Sequence, residues 1–250
     1  MVYELKDTER AAPLFEGWQE TMLLSCLQGV MGRLFVTDTE RPLSALATVG
    51  CFSFFAGVPS ETLARHRMCG FRILVPQNEA WETMLADGFP HAKRVVRYAI
   101  RKDTVFERER LRMFADRLPQ GYELKEIDSG LYDRCLENPV TADFVSAFES
   151  KEKYLENGRG MVILKNGRIV SGASSYSRYR EGIEIEVDTV IPERRKHLAT
   201  AAGAALILRC LEEGLYPSWD AQNLNSVRLA EKLGYRFSHE YPAFEVQADD

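Results

Sequence analysis

Apolar positions along this chain recur with two spacings, and the places where the spacing changes mark the elements. Tyr122-Glu123-Leu124-Lys125-Glu126-Ile127 alternates apolar with polar residues, the pattern of a strand with one covered face. Helices are predicted within Gly130 to Asn138 and Ala142 to Glu156, followed by a strand over Met161 to Leu164. Lys165-Asn166-Gly167-Arg168 predicts a two-residue hairpin turn, because Asn and Gly accept the positive φ angles such a turn needs, and Ile169 to Ser177 is its returning strand. Ile183 to Val190 alternates again. Leu198 to Glu213 reads as a helix closed by Gly214, Ser218 to Ala221 as a short strand, and Ser226 to Leu233 as a helix closed by Gly234. Tyr235 to Val246 is a terminal strand or strand pair.

The first half is patterned less sharply. It predicts a helix over Trp18 to Met31, strands over Arg33 to Thr37, Leu46 to Phe55 and Phe71 to Val75, and a helix over Glu79 to Asp87. A charged helical stretch, Thr104 to Arg117, stops at Leu118-Pro119-Gln120-Gly121, and a domain boundary is expected there, giving domains 1–118 and 119–250. The order of elements in the second domain is that of an α/β fold with a mixed, largely antiparallel sheet flanked by helices. The N-terminal α/β domain shares helix, strand, strand, strand, helix, which leaves open a degenerate copy of the same unit.

Hydrophobic residues make up 45% of the chain and charged residues 28%, the balance of a globular protein with a real core. Glu4, Lys6, Asp7, Glu9 and Arg10 precede any apolar run, so no signal or transit peptide is expected, and no apolar stretch reaches membrane length. A cytoplasmic protein without a membrane partner is the expectation. Cys26, Cys51, Cys69, Cys135 and Cys210 are odd in number and mostly set among apolar neighbours, which suits reduced core thiols. No Cys/His spacing resembles a zinc site, so no metal is expected. A net charge of -5 argues against a protein that grips phosphate backbones, and nucleic acid is not an expected partner.

The informative segment runs from Ile183 to Ala205. The alternating strand reaches Ile191-Pro192, passes through Glu193-Arg194-Arg195-Lys196-His197, and enters an alanine-rich helix. A helix start has main-chain N–H groups without intrahelical partners and about half a positive charge from the aligned peptide dipoles, so it suits an anion such as a diphosphate. Arg194, Arg195 and Lys196 add full charges, although a basic run can equally be a solvated loop. The small residues from Ala199 to Ala205 let the helix lie close to a sheet or ligand.

Arg194-Arg195-Lys196-His197-Leu198-Ala199 resembles the Gln/Arg-x-x-Gly-x-Gly/Ala pattern of the GNAT acetyltransferases at Arg194 and Ala199. Asn223-Leu224-Asn225-Ser226, continuing through Glu231-Lys232-Leu233-Gly234-Tyr235, resembles the second motif of that superfamily, in the right order. Glu186-Val187-Asp188-Thr189, Leu198-Ala199-Thr200 and Ser218-Trp219-Asp220 are similar to the branch that includes zwittermicin A resistance-type acetyltransferases. The resemblance implies acetyl-CoA as co-substrate, bound by Arg194, Arg195, Lys196, His197, Leu198, Ala199 and Thr200, with Asn223 and Ser226 touching its pantetheine or phosphate portion. It also implies a main-chain N–H near Thr189, Val190 and Ile191 that polarises the thioester carbonyl. Two positions depart from the pattern: His197 stands where the superfamily has its middle glycine, and Ala230 where many members have a tyrosine acid.

Amine acylation also needs the acceptor deprotonated. Glu184 and Glu186 share one strand face and Asp188 continues the row, and crowded carboxylates raise one another's pKa toward the range of a general base. Glu186 is the expected base and Glu184 its neighbour; the same row also fits the wet face of a half-exposed strand. Asp220, Trp219 and Tyr176 are expected around the acceptor, with Trp219 as a core residue and Tyr176 as a surface tyrosine the competing readings. Asn223 or Asn225 could equally cap a helix. The expected reaction is acetyl transfer to a primary amine of a small molecule. A non-catalytic acyl-CoA-binding module, another acyl donor and a protein acceptor remain alternatives, and the oligomeric state is open, a homodimer included.

Overall fold

The computed structural model describes residues 1–66 and 68–248, which divide into two compact units. The first comprises residues 1–98 and the chain from His239 onward, the second Ala99–Ser238.

In chain order the first unit contains β1 (Tyr3–Glu4), α1 (Thr21–Leu27), β2 (Arg33–Val36), β3 (Ser44–Val49), β4 (Phe52–Gly57), α2 (Glu61–Ala64), β5 (Gly70–Pro76), α3 (Glu79–Gly88) and most of β6 (Lys93–Ile100). The predicted strand over Leu46 to Phe55 is two strands. Gly50, at φ 53°, turns the chain between two apolar runs, and β3 and β4 pair antiparallel from Ser44↔Gly57 to Val49↔Phe52. β4 then runs parallel to β5. Phe35, Leu46, Phe55, Leu63, Leu74, Trp81, Leu85 and Phe244 form the core of this unit.

The second unit contains α4 (Arg108–Ala115), β7 (Tyr122–Glu126), α5 (Ser129–Cys135), α6 (Pro139–Ala142), α7 (Lys151–Asn157), β8 (Gly160–Lys165), β9 (Arg168–Tyr179), β10 (Gly182–Thr189), α8 (Leu198–Glu212), β11 (Tyr216–Ser218), β12 (Asp220–Ala221), α9 (Leu224–Leu233) and the start of β13 (Phe237–Ala248). Its five-stranded sheet has the order β11-β10-β9-β8-β7, antiparallel throughout except for the parallel pair β10/β11. The hairpin turn forms as predicted, with Asn166 at φ 49° and Gly167 at φ 74°. Of the helix predicted over Ala142 to Glu156 only α7 forms, opened by the side-chain cap of Ser150; residues 143–150 are turns and bends, and the short α6, capped by Asn138, ends at Ala142.

The expected boundary at 118/119 falls inside the second unit. α4 belongs there because Arg108 Nη2 donates to Leu211 O at 3.1 Å and Lys232 Nζ lies 5.4 Å from the centre of the Phe114 ring. The end of β13 belongs to the first unit because Phe244 to Ala248 pair antiparallel with β5. Both units run through three antiparallel strands, a helix, a parallel strand and a helix, the order expected of a duplicated domain. The intervening helix has 15 residues in the second unit but 4 in the first. The fold is therefore α/β with largely antiparallel sheets flanked by helices, as the element order predicts. No helix among the described residues is long and apolar enough to cross a membrane.

Candidate functional site

Strand β10 pairs with β9 as far as Thr189, but with β11 only over Gly182, Ile183 and Glu184. Beyond Glu184 the two parallel strands part, and β10 presents an open edge. The side chains next to that edge turn back on it: Val187 N–H donates to Glu186 Oε1 at 3.1 Å and Thr189 N–H to Asp188 Oδ1 at 2.6 Å. These N–H groups point away from β9, whereas Val190 N–H is taken by Val170 O at 2.9 Å. A register shift in the β9/β10 ladder passes from Glu184↔Ser177 to Ile185↔Ser175 and leaves Tyr176 as the extra residue of a bulge.

At the end of the open edge lies the basic turn. Arg194 Nε donates to Thr189 O at 2.9 Å and its Nη2 to Asp188 Oδ1 at 3.2 Å, strapping the turn to the strand. Arg195 (φ 64°) and His197 (φ 62°) both adopt left-handed conformations, each costing a residue with a Cβ roughly 1 kcal/mol or more. This accounts for the superfamily's glycine at the position of His197: the backbone there needs a positive φ. His197 opens α8 without a side-chain cap, and Ala201 N–H is the first to bond back, to His197 O. The N–H groups of Leu198, Ala199 and Thr200 precede that bond and carry the positive end of a 15-residue helix. Alternating left-handed residues at a helix start make a concavity of N–H groups suited to an anion. The helix seats closely on its neighbours, since a Cβ on Gly203 would come 3.0 Å from Leu233 Cδ1.

A cleft of about 470 Å³ joins these parts. Of the expected residues it gathers Thr189, Arg194, Arg195, His197, Leu198, Ala199, Thr200, Asn223 and Ser226. Val187, Asp188, Glu193, Gln222, Asn225 and Leu229 also line it, although none of them is among the residues expected to bind the coenzyme. Val187 and Asp188 follow from the strand that carries the expected base; Glu193 stands apart because two of its three partners, Tyr122 and Lys165, are remote in sequence.

Several expected residues stand elsewhere. Val190 is engaged in the sheet and Ile191 is 74% exposed, so neither lines the cleft. Lys196 does not line it either: its Nζ is bound to Glu193 Oε2 at 2.6 Å and 3.3 Å from the Tyr122 hydroxyl. Glu193 also accepts from Tyr122 at 2.5 Å and Lys165 at 2.8 Å, and these donors, Lys165 first, hold its carboxyl down to about 2. Glu184 is 2% exposed and sits where β10 still pairs with β11, opposite Ser218, outside the cleft lining. Trp219 is 1% exposed and packs in the core, its Nε1 donating to Ser226 Oγ at 3.1 Å, so its side chain presents no surface to an acceptor. Asn223 caps α9 through Ser226 N–H at 3.0 Å while also facing the cleft. Asp220 lies on β12, Tyr176 on the β9 bulge and Glu186, half-buried, on the open edge; none of the three is in the cleft lining.

Comparison with known proteins decides the family. A model of the GNAT acetyltransferase family matches residues 12–244. The chain belongs to the GNAT acetyltransferase family. The match runs through both units, so the first half, which carries no nameable motif, is part of the family's architecture. A crystal structure of a GCN5-related N-acetyltransferase-like protein from Streptococcus suis is 44% identical, covering 96% of this chain and 98% of that one, with a TM-score of 0.91. The uncharacterized N-acetyltransferase YdfB of Bacillus subtilis is 29% identical over 129 residues, 51% of this chain, and the match spans about half of that relative's length (49%). A tandem GNAT protein of the clavulanic acid biosynthesis pathway shares the fold, with a TM-score of 0.55 at 11% identity over 100% of this chain and 99% of that one. This GNAT chain thus has its open strand edge and its turn of left-handed residues in the second unit.

Proposed function

We propose that the protein transfers the acetyl group of acetyl-CoA directly to a primary amine of a small molecule. The observation that carries this reading is the parting of β10 from β11, which leads an open strand edge into a turn of left-handed residues at a helix start. The diphosphate of the coenzyme would sit on the N–H groups between Arg195 and Ala199, with Arg195 and Arg194 beside it. Its pantetheine arm would run along β10 and replace the side-chain acceptors now on Thr189 and Val187. That path would lead the thioester toward Glu186.

There the residues divide the work. Val187 N–H, on the open edge, is placed to receive the developing oxyanion, a role the resemblance puts nearer Thr189 to Ile191. Glu186 takes a proton from the ammonium form of the acceptor, directly or through a water. The free amine attacks the carbonyl carbon, the C–S bond breaks, and the thiolate takes up the proton released from the acylated nitrogen. Ala230 is fully buried and supplies no acid, which a thiol with an ordinary pKa near 8.5 tolerates. Asp220 and Tyr176 are assigned to the acceptor end.

The test has two stages. Acetyl-CoA is expected to raise the melting temperature progressively with concentration, since a ligand bound only by the folded state stabilises it. Thiol release with a panel of primary amines then reads transfer. Stabilisation with no release on any amine, protein N-termini included, would favour an acyl-CoA-binding module; the absence of stabilisation removes the coenzyme.

A further inference from the structure

Side chains hold the anion turn at three of its four residues. Arg194 is bonded to Thr189 O and Asp188, Lys196 to Glu193 and Tyr122, and His197 Nδ1 lies 3.3 Å from Lys232 Nζ. Arg195 alone has no hydrogen-bond or ion-pair partner among the described residues, and it faces the cleft. The middle anchor is tied to the sheet. Tyr122 and Lys165 are cross-strand partners on β7 and β8, Lys165 Nζ lies 5.2 Å from the centre of the Tyr122 ring, and both donate to Glu193. A left-handed residue that is not glycine persists only where its surroundings over-determine it.

We propose that Glu193 is a positioning residue of the coenzyme site: through Lys196 it pins the turn to β7 and β8 in the left-handed shape that receives the diphosphate. The inference rests on the coenzyme reading above. A carboxylate in an anion cleft would by itself oppose the ligand, but here Lys165 and Lys196 leave the cluster with a net positive charge. Because its carboxyl is held down to about 2, chiefly by Lys165 and then Lys196, the anchor stays ionised at any ordinary assay pH. With Lys196 committed to the anchor, Arg195 is the side chain of the turn left to meet the ligand's charge.

The test is a cycle on the full-length chain with Glu193→Ala, His197→Gly and the double variant. Calorimetric Kd for coenzyme A is measured on each, together with KM and kcat for acetyl-CoA. Glu193→Ala is expected to raise Kd and KM about tenfold with kcat within about twofold, the pattern of lost ground-state binding. The double variant should bind within about threefold of His197→Gly alone, because glycine holds a positive φ without an anchor. Glu193→Gln, which keeps an acceptor but not the charge, should fall between wild type and Glu193→Ala, and it replaces the alanine variant if that one fails to fold. A wild-type chain that binds coenzyme no better than Glu193→Ala or Glu193→Gln overturns this proposal alone, as does a double variant as impaired as Glu193→Ala. A wild-type chain that binds no coenzyme overturns the coenzyme reading and this one with it.

Discussion

Replacing Ala199 by Asp is expected to weaken coenzyme binding about 100-fold while leaving the protein as stable as before or slightly more so. Ala199 is the second residue of α8, half-buried and facing the cleft, beside N–H groups that lack intrahelical partners. A carboxylate in a helix's first turn interacts favourably with the dipole, typically by about 0.3–1 kcal/mol. The same carboxylate occupies the donors meant for phosphate and repels it. Two like charges about 4 Å apart cost about 4 kcal/mol at an effective dielectric of roughly 20, and solvent in an open cleft reduces that, so Kd should rise about 100-fold. Melting temperature should stay level or rise by about 1–3 °C. Calorimetry and thermal melting read the two effects separately, and opposite signs distinguish a blocked site from a damaged fold. A variant that keeps wild-type affinity would place the diphosphate elsewhere.

Glu186→Gln should lower kcat about 100-fold, the lower end of what general acid–base groups contribute, with Kd for acetyl-CoA unchanged. Glutamine keeps a side-chain oxygen that can accept from Val187 N–H, so the edge of β10 should hold its geometry while the proton acceptor is lost. The comparison needs single-turnover rates with an amine that supports thiol release, at saturating coenzyme. A rate within about threefold of wild type would remove Glu186 from proton transfer, since general acid–base groups typically contribute about 100-fold or more. Glu184 cannot stand in for it, because it is buried where β10 and β11 are still paired.

What was legible in the sequence followed how local the signal is. The Asn166-Gly167 hairpin and the caps of α8 and α9 sit within a few residues of the elements they define, and the turn formed as expected. The break between β3 and β4 was not legible, because Gly50 stands between two continuous apolar runs, both strands being almost entirely buried. β6 escaped notice for the opposite reason: Lys93, Arg94 and Arg97 interrupt its apolar positions. The Pro119-Gln120-Gly121 signal marks a loop, yet a loop between elements of one unit looks the same as one between units. That the last residues of the chain complete the first unit is a pairing with β5 some 170 residues away in sequence, with no local trace. At the site the motif located the turn, but not how its charges are used. Lys196 is tied up by Glu193, whose other partners lie 28 and 71 residues upstream, and Ser226 by the indole of Trp219.

Main-chain donors at the start of α8 are proposed to hold the coenzyme's diphosphate. Diffraction from crystals grown with saturating coenzyme A tests it most directly. Both phosphates are expected within hydrogen-bond distance of N–H groups between Arg195 and Ala199, with the pantetheine arm beside Thr189 and Val187. A diphosphate bound away from that turn, or N–H groups there closed on the protein's own oxygens while the coenzyme is present, would contradict it.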